Sequence, residues 1–188
     1  MRMKDKLEIL LSCMHQTDEI IKRSNIRCNV TVVNQCDKDD KRTIPINGKD
    51  DACVANWIDS TERGLSRSRN MALQSASFDF CLISDDDEVF VDGVDTIIEK
   101  AFKDNPKSDV LIFKLNNWET KCPSCTKNVG YIQAMRTASY QIAFRRLRIL
   151  ENNISFDKNE IQLIYSVIRK YSTPDDIAKM EKISSYFQ

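Results

Sequence analysis

The sequence predicts an α/β fold: a mostly parallel central sheet flanked by helices, with further helices at the C-terminal end. Three observations predict it. Apolar runs of strand length alternate with segments of helical spacing through the first part of the chain. The runs at residues 7–13 and 78–84 are almost unbroken, as in strands buried on both faces of a parallel sheet. The second run stops in four consecutive acids, Asp85-Asp86-Asp87-Glu88. Ligands of open α/β sheets bind beyond the carboxyl ends of the strands, which is where those acids fall.

The elements follow in order. Residues 7–13 read as a buried strand, and Thr17 is placed to cap a short helix containing Ile20 and Ile21. Residues 28–34 read as a second strand. Residues 37–51 are polar and charged, with Pro45 and Gly48, and read as a loop. Residues 52–59 form a weaker strand pattern, 66–76 a helix and 78–84 the strand that ends in the acids. A helix over 95–102 stops near Asn105-Pro106, and 110–115 read as a strand. Residues 122–130 read as a loop, and 141–150 fit strand or helix equally. Ile161, Ile164, Val167, Ile168 and Tyr171 recur near helical spacing. Thr173-Pro174-Asp175-Asp176 carries a cap, a first-turn proline and first-turn acids, which open a last helix.

Composition narrows the function. At 188 residues a single domain is expected. Lys plus Arg and Asp plus Glu are both 28, so nothing in the net charge draws nucleic acid. The cluster Arg145-Arg146-Leu147-Arg148 reads as a solvated face. No apolar run has transmembrane length, and residues 7–13 turn polar too soon for a signal peptide. Seven scattered cysteines, Cys13 and Cys81 among them in apolar runs, predict reduced thiols and a cytoplasmic protein. Cys122-Pro123-Ser124-Cys125 would need further ligands, such as Cys28 or Cys36, to hold zinc, and reads as a loop with incidental thiols. The one histidine, His15, rules out multi-histidine metal sites.

Two segments carry chemistry. Four adjacent carboxylates repel one another, and a hard cation such as Mg²⁺ relieves that repulsion while bridging to substrate phosphates. Just upstream lies Glu62-Arg63-Gly64-Leu65-Ser66-Arg67-Ser68-Arg69-Asn70. At helical spacing Arg63, Arg67, Asn70 and Gln74 share one face, while Arg69 falls in the apolar stripe of Leu65, Ala72, Leu73 and Ala76. A buried arginine demands a carboxylate, and Asp85, Asp86 and Asp87 are the nearest in the chain. Arg63 and Arg67 add positive charge at the helix start, which suits a diphosphate.

Together these segments resemble family 2 glycosyltransferases of the GT-A fold, in which a G-x-x-x-x-R-N helix precedes an apolar strand ending in D-x-D. Here Gly64 to Asn70 and Asp85-Asp86-Asp87 match that pattern, Ser139 to Arg146 resembles bacterial members, and the likeness runs from about Leu7 to about Asp157. The resemblance implies a donor part over residues 1–115 and a shortened acceptor part over 116–188 within one domain. It implies a nucleotide-diphosphate sugar donor, Mg²⁺ or Mn²⁺, and a saccharide or lipid-linked acceptor. Asp85 would face the ribose, Asp87 with Asp85 would hold the metal, and Arg63, Arg67, Arg69, Asn70 and Asn34 would contact the donor. Asn34-Gln35 stand where the family often has a base-binding acid, with Asp37 close by. The family's late acidic pair, which supplies the general base, is abbreviated: Glu160 or Asp157 is what remains for it. A homodimer through the C-terminal helices and peripheral membrane association are further expectations.

Two other classes fit parts of the pattern. Asp85-x-Asp87-x-Val89 also satisfies the nucleophile motif of haloacid-dehalogenase-type phosphatases, but the only late acidic pair, Asp175-Asp176, sits at a helix start. A nucleotide-sugar-binding or interaction module without catalysis is the other alternative.

Overall fold

The computed structural model describes residues 6–46, 53–113 and 142–156. In chain order these form β1 (Leu7–Met14), α1 (Glu19–Arg23), β2 (Asn29–Gln35), β3 (Asp40–Pro45), β4 (Val54–Ser60) and α2 (Leu65–Ser75). Then follow β5 (Phe80–Ser84), α3 (Val94–Asp104), β6 (Val110–Ile112), β7 (Ile142–Arg145) and α4 (Arg146–Glu151). The described strands make one sheet in the order β3-β4-β2-β1-β5-β7-β6. β4, β2, β1 and β5 pair in parallel, whereas β3 runs antiparallel to β4, and β7 antiparallel to β5 and β6. The predicted mostly parallel α/β architecture is therefore the observed one.

Alternation along the strands sorts side chains into two apolar layers. Leu7, Ile9, Leu11 and Cys13 of β1 pack with Ile20 of α1 and with Ile98 and Phe102 of α3. Leu10, on the opposite face, packs with Ala72 and Leu73 of α2 and with Ile149 of α4. Glu8 shares that second face by register and is fully buried. It accepts from Thr31 Oγ1 at 2.6 Å, from the Ser77 amide at 2.7 Å and from the Phe78 amide at 3.1 Å. One carboxyl thus ties β1 to β2 and to the turn between α2 and β5.

Several expectations need correction. The segment read as a loop contains β3, an edge strand. An edge strand pairs on one side only, so it tolerates polar residues and Pro45, and its sequence lacks the apolar signal. Thr17 does not cap α1: Asp18 holds the cap position, without a side-chain cap hydrogen bond. The ambiguous 141–150 segment is both β7 and α4. Leu65 is 41% exposed and does not belong to the buried stripe of α2. The basic cluster is solvated only in part: Arg148 is exposed and pairs with Asp109 and Glu151, whereas half-buried Arg145 donates to the Ser108 and Phe102 carbonyls and half-buried Arg146 to the Phe78 carbonyl. Cys13, Cys28, Cys36, Cys53 and Cys81 are buried, reduced thiols. Cys122, Cys125, Asp157, Glu160 and the two last predicted helices lie outside the described residues. No described helix is long and apolar enough to cross a membrane.

Candidate active site

The carboxyl ends of the parallel strands converge on one side of the sheet, and the functional side chains gather there. Each acid after β5 has its own environment. Asp85 takes Arg69 Nη2 on both oxygens, at 2.8 and 3.1 Å, so the buried arginine has found its carboxylate. Asp86 Oδ2 accepts from Gln16 Nε2 at 3.2 Å, across from the β1–α1 connection. Asp87 is exposed and has no side-chain partner among the described residues. Neither carboxyl oxygen of Glu88 is exposed, and neither makes a hydrogen bond of good geometry. Burial, reinforced by the charges of Asp85 and Asp87 and opposed by nearby Ser84, pushes the Glu88 carboxyl up to about 8.

The acidic loop is docked on the end of α1. The Phe90 amide donates to the Ser24 carbonyl at 3.0 Å, and Asn25 Nδ2 donates to the Phe90 carbonyl at 2.9 Å. Arg23 Nη2 reaches the Asp86 carbonyl at 3.2 Å.

Beside this loop, at the ends of β1, β2 and β4, lies a cavity of about 640 Å³, lined in part by His15, Gln16, Asn34, Lys38, Arg42 and Asp59. That volume lies within the usual range of small-molecule sites and suits a nucleoside. Its floor is a polar network. Asp59 Oδ1 accepts from Trp57 Nε1 and from Asn34 Nδ2, each at 2.8 Å, and Oδ2 accepts from Arg42 Nη1 at 2.7 Å. Lys38 Nζ approaches the same oxygen at 3.4 Å. Burial alone would raise the Asp59 pKa, but these donors outweigh it and hold the carboxyl well below the usual range.

That shift has a testable sign. A carboxyl with a depressed folded-state pKa stabilises fully above its unfolded value and loses that contribution as pH falls toward the folded one. Asp59→Asn is expected to be less stable than wild type at neutral pH, with a gap that narrows below about pH 4. Urea midpoints across that range check it; a gap that stays constant with pH would count against the assignment.

The arginine helix departs from its sequence reading. Gly64 adopts φ 119°, a conformation that only glycine enters readily, and starts α2 one residue later. Arg63 therefore lies before the helix. Its Nη1 donates to the Cys36, Ser60 and Thr61 carbonyls, at 2.7, 3.1 and 3.2 Å, and its Nη2 pairs with Asp37 at 2.7 Å. It holds the loops after β2 and β4 together. Asn70 is also engaged: Nδ2 donates to the Phe156 carbonyl at 2.7 Å and Oδ1 accepts the Phe156 amide at 2.8 Å. Asn34 lines the cavity with both ends of its amide in internal bonds, accepting from the Gln16 amide and donating to Asp59 and the Gln16 carbonyl. Arg67 is exposed, with no partner among the described residues.

Sequence reasoning missed Gln16, Lys38, Arg42, Trp57 and Asp59. Asp59 had a signal: like Asp85, it stands at the carboxyl end of an apolar strand. Lys38 and Arg42 had none, because β3 went unrecognised.

Comparison with solved structures finds the same α/β fold in a glycosyltransferase. The glycosyltransferase TarS of S. aureus, residues 1–349, superposes with a TM-score of 0.61 at 18% identity over 86% of this chain and 55% of its own. The same protein in complex with UDP gives a TM-score of 0.57 at 17% identity, over 86% and 54%. In complex with UDP-GlcNAc it again gives 0.57 at 17% identity, over 86% and 52%. The chain thus spans about half the length of these TarS structures. No protein-family model and no curated sequence matches it.

Proposed function

We propose that the chain binds a nucleotide-diphosphate sugar in this cleft and transfers the sugar to a saccharide or lipid-linked acceptor. The observation that carries the reading is the adjacency of the cavity to the acidic loop along one sheet edge: one has the volume for a nucleoside, and the other would meet the charged end of a diphosphate through a cation. Supporting it, the TarS fold has been solved with UDP and with UDP-GlcNAc. In this reading the base enters beside His15 and Lys38, and Asp85, oriented by Arg69, meets the ribose. Exposed Arg67 meets the diphosphate. Arg63, Asn70 and Asn34 hold the walls of the cleft.

A divalent cation fits the residues present. Among the described residues no three acidic, cysteine or histidine side chains form a ready-made metal cage. Mg²⁺ and Mn²⁺ sites on nucleotides need only one or two carboxylates besides the phosphates, and Asp87 is exposed with no cationic partner among the described residues. Asp87, with Asp85 beside it, would hold the ion, which would neutralise charge on the departing diphosphate. The acceptor hydroxyl attacks the anomeric carbon, the nucleoside diphosphate leaves from the opposite face, and the hydroxyl proton passes to a carboxylate. Asp157 and Glu160 are the residues proposed for that base. Inverting chemistry and a cytoplasmic site of action, near a membrane where the acceptor is lipid-linked, belong to the same proposal.

The phosphatase alternative is less favoured by the geometry, since its nucleophile would be Asp85, both of whose oxygens accept from Arg69. Calorimetry tests the main reading. UDP is expected to bind, with about tenfold higher affinity in Mn²⁺, roughly the effect of one charge-assisted contact. Asp87→Asn is expected to remove the Mn²⁺ gain and leave metal-free binding in place. Absence of binding to UDP and to every other nucleoside diphosphate, with and without Mn²⁺, would overturn the reading. Binding without sugar transfer to any acceptor would favour the non-catalytic module.

A further inference from the structure

We propose that Gln16 is a positioning residue that couples the two ends of the cleft, so that pocket and acidic loop behave as one site; this rests on the donor-binding reading above. Its side chain spans the gap: Nε2 donates to Asp86 Oδ2, and Oε1 accepts from Arg23 Nη2, both at 3.2 Å. Its main chain is clamped by Asn34, whose Oδ1 accepts the Gln16 amide at 2.9 Å and whose Nδ2 donates to the Gln16 carbonyl at 3.1 Å. Asn34 in turn donates to Asp59 at 2.8 Å. An unbroken chain of hydrogen bonds thus runs from Asp59 on the cavity floor, through Asn34 and Gln16, to Asp86 in the acidic loop.

The chemistry of the link is specific to an amide. Gln16 must donate to a carboxylate and accept from a guanidinium with the two ends of one group. A glutamate would repel Asp86, and a lysine would offer Arg23 no acceptor and leave it only the Asp86 carbonyl. Asp86 lies between Asp85, held by Arg69 from the α2 side, and exposed Asp87. Holding Asp86 from the opposite side sets the backbone on which Asp85 and Asp87 stand. Without that hold, three mutually repelling carboxylates keep only one of their two side-chain restraints. The bonds from Phe90 to Ser24 and Asn25 do not involve Gln16, so losing it frees the acids without releasing the whole loop.

The test compares Gln16→Leu, Gln16→Glu and the exchanged pair Gln16→Glu with Asp86→Asn, in which donor and acceptor trade places. In the unliganded protein, amide hydrogen exchange over residues 85–88 is expected to quicken by about tenfold in Gln16→Leu and to slow again in the exchanged pair. The Mn²⁺-dependent gain, taken as the ratio of each variant's own UDP affinities with and without metal, is expected to fall by about tenfold in Gln16→Leu and to be restored in the exchanged pair. Unchanged exchange together with an unchanged Mn²⁺ gain in Gln16→Leu would overturn the coupling and leave the donor reading standing. An exchanged pair no better than Gln16→Glu would also overturn it. If wild type binds neither UDP nor any other nucleoside diphosphate in either condition, the donor reading falls and the coupling falls with it.

Discussion

Replacing Glu8 with leucine is expected to unfold the protein or bring it close to unfolding. Glu8 is 0% exposed at the centre of the sheet, and its carboxyl serves three donors: the Thr31 hydroxyl and the Ser77 and Phe78 amides. Leucine fits the volume but leaves the buried Thr31 hydroxyl and the part-buried Ser77 and Phe78 amides without their acceptor. Each unsatisfied buried group costs about 1–3 kcal/mol and the two part-buried amides fall at the low end, so the sum is on the order of 3–6 kcal/mol. Total stability of a domain is about 5–15 kcal/mol, so the loss takes a large share of it. Glu8→Gln keeps one carbonyl oxygen for these donors and is expected to lose only about half as much. Urea melts of both variants check the ordering, and Glu8→Leu within about 0.5 kcal/mol of wild type would refute it. The site would suffer too, because the turn that Glu8 fixes joins α2, carrying Arg69, to β5, carrying Asp85.

Arg69→Met is expected to cost about 2–3 kcal/mol, below the usual range for breaking a buried ion pair. Methionine matches the apolar part of the arginine, which is 1% exposed among Ala72 and Leu73. The penalty falls on Asp85, whose side chain is 28% exposed and can partly rehydrate, hence the lower figure. The variant also adds one uncompensated negative charge beside the nucleotide. Metal-free UDP binding is therefore expected to weaken, while Mn²⁺ alone binds more tightly, opposite signs that simple loosening of the fold would not produce. Adding Asp85→Asn should recover part of the lost stability, and a double-mutant cycle measures how much. Arg69→Met with wild-type stability and wild-type UDP affinity would remove the ion pair from the account of the site.

The parts legible in the sequence were those with a local signature. β1 and β5 announced themselves through unbroken apolar runs, α2 through its spacing, and the acids through an abrupt change of character at a strand end. Arg69 was legible because a cation in an apolar stripe has to be answered by a carboxylate close at hand. β3 was not, since an edge strand is specified by its partner rather than by its own composition. With β3 unseen, Arg42 could not be brought to Asp59, and the charged floor of the cavity stayed hidden.

The sequence by itself determined the class of fold, the edge of the sheet where a ligand would lie, and the pairing of Arg69 with the acids. Each depends on patterns within about twenty residues. The tertiary structure alone decided which polar groups are already spent. Asn70 clamps Phe156, Arg63 gathers loop carbonyls, and Asn34 holds Gln16 and Asp59, while Arg67 and Asp87 stay exposed. It alone also joined Gln16 to Asp86, 70 residues apart. The physical reason is that hydrogen-bond capacity is finite: whether a side chain has any left for a ligand depends on neighbours that only folding brings near.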